Sequence, residues 1–257
     1  MLPQVDFNNM FPTFLLGVRL GGLMTFAPFL GNPSIPIKVK SGLTFVLTAL
    51  LAPAYTARMG HNIPDNMVAV IAGELLIGMG MGMTIELVFD SARFAGQLLG
   101  FQFGYSIVNV IDPQSQVETS VLNFFHYTML MLIFLQGNVH HWLFRLLVHS
   151  FDVAPPGTVI VSTKVISMLF SSAGTVFILG LQLAAPALLA TVMTDISLSF
   201  MSKAAPQLPV MAVGLPAKML VGYASIWCSV VFWPTLAAKW FHGAILGAQH
   251  LLDAMHS

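Results

Sequence analysis

Charge is so scarce in this chain that water-soluble folds are closed to it. Asp, Glu, Lys and Arg make up 8% of the 257 residues, against 56% hydrophobic. A soluble domain carries about 25% charged residues, enough to cover its surface. Here the apolar residues gather into blocks at 11–30, 41–57, 67–89, 94–111, 121–135, 165–200 and 208–252. Blocks of this length suit a bilayer. The expected class is all-α and polytopic membrane-type, built of helical hairpins. Treating 94–111 as partly re-entrant gives about five to seven crossings.

Prolines punctuate the blocks. Pro33, Pro36, Pro53, Pro64, Pro113, Pro155, Pro156, Pro206 and Pro209 fall at or near connections. Each removes a backbone donor and biases the residue before it away from helix. Pro28, Pro186, Pro216 and Pro234 lie inside apolar blocks, where neighbouring helices must satisfy the freed carbonyls. The N-terminal part is fragmented. The last two blocks form a long helical hairpin about the Lys203–Gln207 turn. A division near residue 160 is expected, into 1–160 and 161–257.

Net charge is zero, so no basic face invites nucleic acid. The single cysteine, Cys228, excludes an internal disulfide and a cysteine metal site. No Lys or Arg precedes Arg19, which argues against a cleaved signal peptide. Lysines and arginines divide evenly between the two sides of a six-span arrangement, so loop charge sets no orientation. Lys38 and Lys40, in the shortest loop, lean that side toward the cytoplasm.

Small residues recur four apart: Gly17 and Gly21, Gly78 and Gly82, Gly96, Gly100 and Gly104, Gly243 and Gly247. Such spacing makes a flat strip on which another backbone can lie. It serves packing within one chain or between subunits. Glu74, Glu86, Asp90, Arg93, Asp195 and Lys218 lie in or beside apolar blocks, where an unpaired charge costs about 2.5–3.5 kcal/mol on insertion scales. Glu86, Asp90 and Arg93 fall at helical spacing. A structural Asp90–Arg93 pair is the plain reading and a proton relay the sharper one. His140, His141 and His149 sit among Trp142, Phe144 and Leu146, which fits an interfacial amphipathic helix better than a metal site. No phosphate loop, metalloprotease or nucleophile motif occurs. Neither an enzyme nor a cofactor is expected.

The stretch GQLLGFQFGYSIVNVIDPQSQ, residues 96–116, begins as a glycine-spaced membrane helix and stops at Asp112-Pro113. Together with PFLGNPSIPIKVKSGL, FLQGNVHHWLFRLLVHSFDVAPPG and KAAPQLPVMAVGLP, in that family's order, it resembles the flagellar export-gate family FliR and its injectisome relatives. The resemblance implies a subunit of the type III export gate in the bacterial inner membrane, at the flagellar basal body. It implies assembly with the P and Q gate proteins into a channel for unfolded export substrates. Residues 1–160 would resemble a P subunit and 161–257 a Q subunit. Contact with the B switch protein would fall near Ala205, Pro206 and Gln207.

The family also places a channel plug before the Asp-Pro turn. In this sequence that is Tyr105, Ser106, Ile107, Val108, Asn109, Val110 and Ile111, followed by the loop turn at Asp112 and Pro113. Where relatives can carry aromatic residues, this chain has Ile107 and Val110, a smaller apolar plug. Two alternatives stay open at this point: an injectisome gate subunit, and an ion-coupled secondary transporter of a small solute, motivated by the broken helices and buried carboxylates.

Overall fold

The computed structural model describes residues 10–28, 31, 35–55, 66–105, 121–155, 163–207 and 210–256. Among these there are eight helices and no strand: α1 Met10–Phe26, α2 Ile37–Tyr55, α3 Met67–Gln102, α4 Val121–Gln136, α5 Val139–Val153, α6 Thr163–Ala204, α7 Val210–Val230 and α8 Trp233–His256. Three are long and apolar enough to cross a membrane: α3, α6 from Phe170 onward, and α7 from Ala212 onward.

Three helix boundaries differ from the sequence expectation. The blocks 67–89 and 94–111 belong to one continuous helix, α3. The charges between them do not break it, because Asp90 and Arg93 neutralise each other one turn apart. At its far end, α3 stops at Gln102 rather than running on to Asp112-Pro113. Gly104 adopts a left-handed φ of 87°. Its N–H donates to Phe101 O at 3.1 Å, and the Tyr105 N–H to Gly100 O at 3.0 Å. These are the two reversed bonds of a Schellman cap. The last block is likewise two helices, parted by a turn at Val231 and Phe232. Pro234 then falls in the first turn of α8, where its missing N–H has no helical partner to lose.

The chain forms two compact units. The first comprises 1–87, 138–173 and 241–257. Its core is built on Leu16, Leu20 and Leu23 of α1, Ile77, Met81 and Ile85 of α3, Leu147 of α5, and Leu252 of α8. The buried positions of α5, including Val139, Leu143, Leu146, Leu147, Ser150 and Phe151, recur at three- and four-residue spacing. That is the stripe of an amphipathic helix. His141 and His149 lie on its exposed side.

Close approach of α1 and α3 depends on glycine. A side chain at Gly22 would come within 2.7 Å of Leu75 O, and one at Gly82 within 2.9 Å of Leu23 O. One at Gly78 would overlap the carbonyl of Arg19. Helices in lipid gain little from the hydrophobic effect, so backbone proximity and dispersion hold them together.

The second unit comprises 88–137 and 174–240. Phe89 and Leu99 of α3, Phe103 just past its end, Phe134 of α4, Ala184 and Ala187 of α6, and Trp233 and Ala237 of α8 are buried there. Gly96 lets α3 meet the backbone of Leu122 and Asn123 on α4. Gly180 on α6 lies where a side chain would come within 2.7 Å of Ser91 O. Much apolar surface remains outside: Phe177, Leu189, Leu220 and Trp227 are more than half exposed. Such surface calls for lipid or for partner protein.

Candidate functional site

Where α3 ends, three residues are tied to α6 and α7. Gln102 Nε2 donates to Asp195 Oδ2 at 3.2 Å, and Lys218 Nζ donates to the same oxygen at 2.7 Å. Phe103 is fully buried, and its ring occupies the space a side chain at Gly222 would fill. That ring also stands edge-on to Tyr223, with centroids 5.3 Å apart. Gly104 turns the chain, and the Tyr105 hydroxyl pairs with that of Tyr223. The chain therefore leaves α3 from a held position. Of the expected plug, Tyr105 is described; Ser106, Ile107, Val108, Asn109, Val110 and Ile111, with Asp112 and Pro113, lie outside the described residues.

Gly104 is expected to serve helix packing, but it lies beyond the helix end and acts as its cap. Gly78, Gly82 and Gly96 sit at close crossings with the chain's own helices, and Gly100 is buried. At Gly243 and Gly247, no described atom lies within 4 Å of a built side-chain carbon.

The expected polar group of α3 is half-buried rather than enclosed. Arg93 Nη1 donates to Asp90 Oδ1 at 2.5 Å, with side-chain exposures of 38% and 43%. The guanidinium also lies 4.5 Å from the centre of the Tyr127 ring. Glu86 is half-buried. An exposed pair at this spacing has little to contribute, so a double-mutant cycle on Asp90→Asn and Arg93→Gln is expected to give a coupling of about 0.3–0.5 kcal/mol. Thermal unfolding of the detergent-solubilised chain measures it. Ala205, Pro206 and Gln207 form the turn between α6 and α7, with Pro206 and Gln207 exposed.

The most completely buried charges are Glu74, which the sequence singles out, and Arg19, which it does not. Arg19 and Glu74 are both fully buried. Arg19 Nε donates to Glu74 Oε2 at 2.6 Å, Nη1 to Ser150 Oγ at 3.0 Å, and Nη2 to Ala154 O at 2.9 Å. The guanidinium lies 4.3 Å from the centre of the Phe151 ring. One side chain thus binds α1 to α3 and to the end of α5. Its partners stand 55, 131 and 135 residues away. Spacing along one helix, the signal that finds Asp90–Arg93, is blind to such a cluster.

Among the described residues, no group of three or more His, Cys, Asp or Glu is placed to hold a metal ion. Neighbouring ionisable groups are engaged as pairs, and the glycines bring backbones together. What the geometry defines is a helical membrane-type protein made for packing, with one chain segment launched from a fixed anchor.

Residues 10–244 match the family described as bacterial export proteins, family 1. Flagellar biosynthetic protein FliR of Escherichia coli K12 is 30% identical over 205 residues, covering 80% of this chain and 78% of the relative. FliR of Bacillus subtilis 168 is 29% identical over 232 residues, 87% of this chain and 89% of the relative. FliR of Aquifex aeolicus is 27% identical over 204 residues, covering 78% and 77%. The chain belongs to the FliR family of bacterial export proteins.

Proposed function

We propose that this chain is a subunit of the flagellar type III export gate. In this reading it sits in the bacterial inner membrane at the flagellar basal body. With P and Q gate proteins it forms a channel through which unfolded flagellar substrates pass. The observation that carries the proposal is the family match across residues 10–244. Residues 1–160 are read as the P-like part and 161–257 as the Q-like hairpin. The exposed Ala205-Pro206-Gln207 turn is offered to the B switch protein.

Within that gate, residues 105–111 act as the plug. An apolar constriction holds back ions by dewetting when empty and yields to a passing chain. The tie of Gln102, Phe103 and Tyr105 to α6 and α7 supports this role, since a plug needs a fixed root. Replacing Ile107 and Val110 together by glycine is expected to raise ion conductance of the assembled gate in planar bilayers. Tyr223→Phe, which breaks the hydroxyl pair, is expected to raise it by less. Unchanged conductance in the Ile107/Val110 double variant would sink the plug. Gentle extraction that yields the chain without P- or Q-type partners, or flagellar export that survives its deletion, would sink the gate.

A secondary transporter predicts ion-coupled uptake that fails in Glu86→Gln or Asp90→Asn. The pairing of Asp90 with Arg93, Asp195 with Lys218 and Glu74 with Arg19 favours packing over relay chemistry. Under the gate reading, those two substitutions affect assembly. An injectisome gate would share the same chemistry and differ in its substrates.

A further inference from the structure

Between α1 and α2, within the first unit, lies a groove of about 1120 Å³. Its lining includes Gly17 and Gly21 of α1 and Thr44 and Thr48 of α2, with the exposed Phe14 and Phe45 at its rim. Four of the five hydroxyls along it donate to backbone carbonyls. Thr25 Oγ1 donates to Gly21 O at 2.9 Å, Ser41 Oγ to Lys38 O at 3.1 Å, Thr44 Oγ1 to Lys40 O at 2.9 Å, and Thr48 Oγ1 to Thr44 O at 2.7 Å. Each bond returns to the hydroxyl's own helix. The groove therefore offers few donors to an occupant: Thr48 Oγ1 lies 3.4 Å from a side-chain carbon built at Gly17, but its proton is spent on Thr44 O, and the glycines show bare backbone. The trough is largely apolar although five of the residues lining it carry hydroxyls.

One end is different in kind. Lys40 lines the groove there, and its Nζ is fixed by a 3.0 Å bond to Gly31 O. An ammonium has three donors, so a single carbonyl does not saturate it. Lys38, two residues earlier, is exposed on another side of α2 and does not line the groove. No carboxylate occurs among the described lining residues. An apolar trough closed by a fixed cation matches an amphiphile with an anionic head. Basic pockets between membrane helices are known to take such head groups. A partner helix would also suit the glycines, but it gives no reason for an ammonium held at the groove's mouth.

We propose that the α1–α2 groove seats an acyl chain of an anionic phospholipid, with Lys40 binding its phosphate. The test uses the full-length chain, delipidated in detergent and studied by native mass spectrometry. Phosphatidylglycerol and phosphatidylcholine with identical acyl chains are the probes. One lysine at the head is expected to favour phosphatidylglycerol by about fivefold. Lys40→Gln is expected to retain both lipids equally, whereas Lys38→Gln, off the groove, leaves the preference in place. Gly21→Leu fills the trough, because the nearest atom to a built side-chain carbon there is Thr44 Cγ2 at 4.0 Å. It is expected to lower retention of both lipids without lowering the unfolding temperature. Equal retention of the two lipids by the unaltered chain would overturn the proposal. So would displacement of phosphatidylglycerol by inorganic phosphate, or Gly21→Leu leaving retention unchanged. A cysteine at position 21 that cross-links efficiently to another protein in native membranes would assign the groove to a partner helix instead.

Discussion

Arg19→Leu is expected to destabilise the first unit by about 3–5 kcal/mol, because it leaves the Glu74 carboxyl group enclosed and deprived of its counter-ion. The loss reaches further than the pair. Ser150 Oγ and Ala154 O surrender their donors, and Phe151 surrenders the cation over its ring. Glu74→Leu should cost a similar amount for the mirror reason, now with a buried guanidinium left behind. The double variant Arg19→Met/Glu74→Leu should restore much of the loss, since a buried pair often contributes little over apolar residues of like volume. Thermal unfolding in detergent and the steady-state amount of protein in the membrane both read the effect. If Arg19→Leu unfolded like the unaltered chain, the cluster would have no part in holding α1, α3 and α5 together.

The second large effect comes from adding a single carbon. At Gly78 the added atom would overlap the Arg19 carbonyl and lie 2.9 Å from Leu23 N. Both obstacles are backbone, so no rotamer change relieves the clash and the helices must part. Gly78→Ala is expected to cost about 3 kcal/mol, the upper part of the range for overpacking. Gly80, two residues on, has no described atom within 4 Å of the same position. There the substitution should be neutral, or stabilising by up to about 1 kcal/mol through helix propensity. The contrast between the two alanines, measured by thermal unfolding, isolates the steric term from propensity. Because Gly78 meets the backbone of Arg19, the Gly78→Ala and Arg19→Leu losses should not add. Equal effects of the two alanine substitutions would rule out the close crossing.

How much of this the chain declares in advance depends on the range over which each feature is written. Membrane class and helical content follow from charge scarcity and block length, which any window of twenty residues reveals. The Asp90–Arg93 pair is local, three residues apart, and is legible for that reason. Gly78, Gly82 and Gly96 announce a close neighbour through spacing but do not name it. The end of α3 is written in two competing signals. Asp112-Pro113 is the louder stop, yet Gly104 acts first, closing the cap in the left-handed conformation. Arg19 and Glu74 are invisible as a pair. Their partnership exists only once α1 lies on α3, and no pattern along either helix encodes it. His126 is a similar case: it is buried beside Trp233, its ring Nδ1 donating to Leu122 O at 2.7 Å, yet nothing in its sequence surroundings sets it apart.

Helix length carries a consequence of its own. Phe170 and Phe200, both on α6 and both largely exposed, stand about 45 Å apart along the axis at helical rise. The oily interior of a bilayer is about 30 Å thick. Even a helix leaning by about 40° finds only about 39 Å of it. At least one of those rings therefore lies where lipid tails do not reach, and water is a poor neighbour for it. Head groups carry the bilayer to about 40–45 Å, so α6 uses its whole depth, heads included.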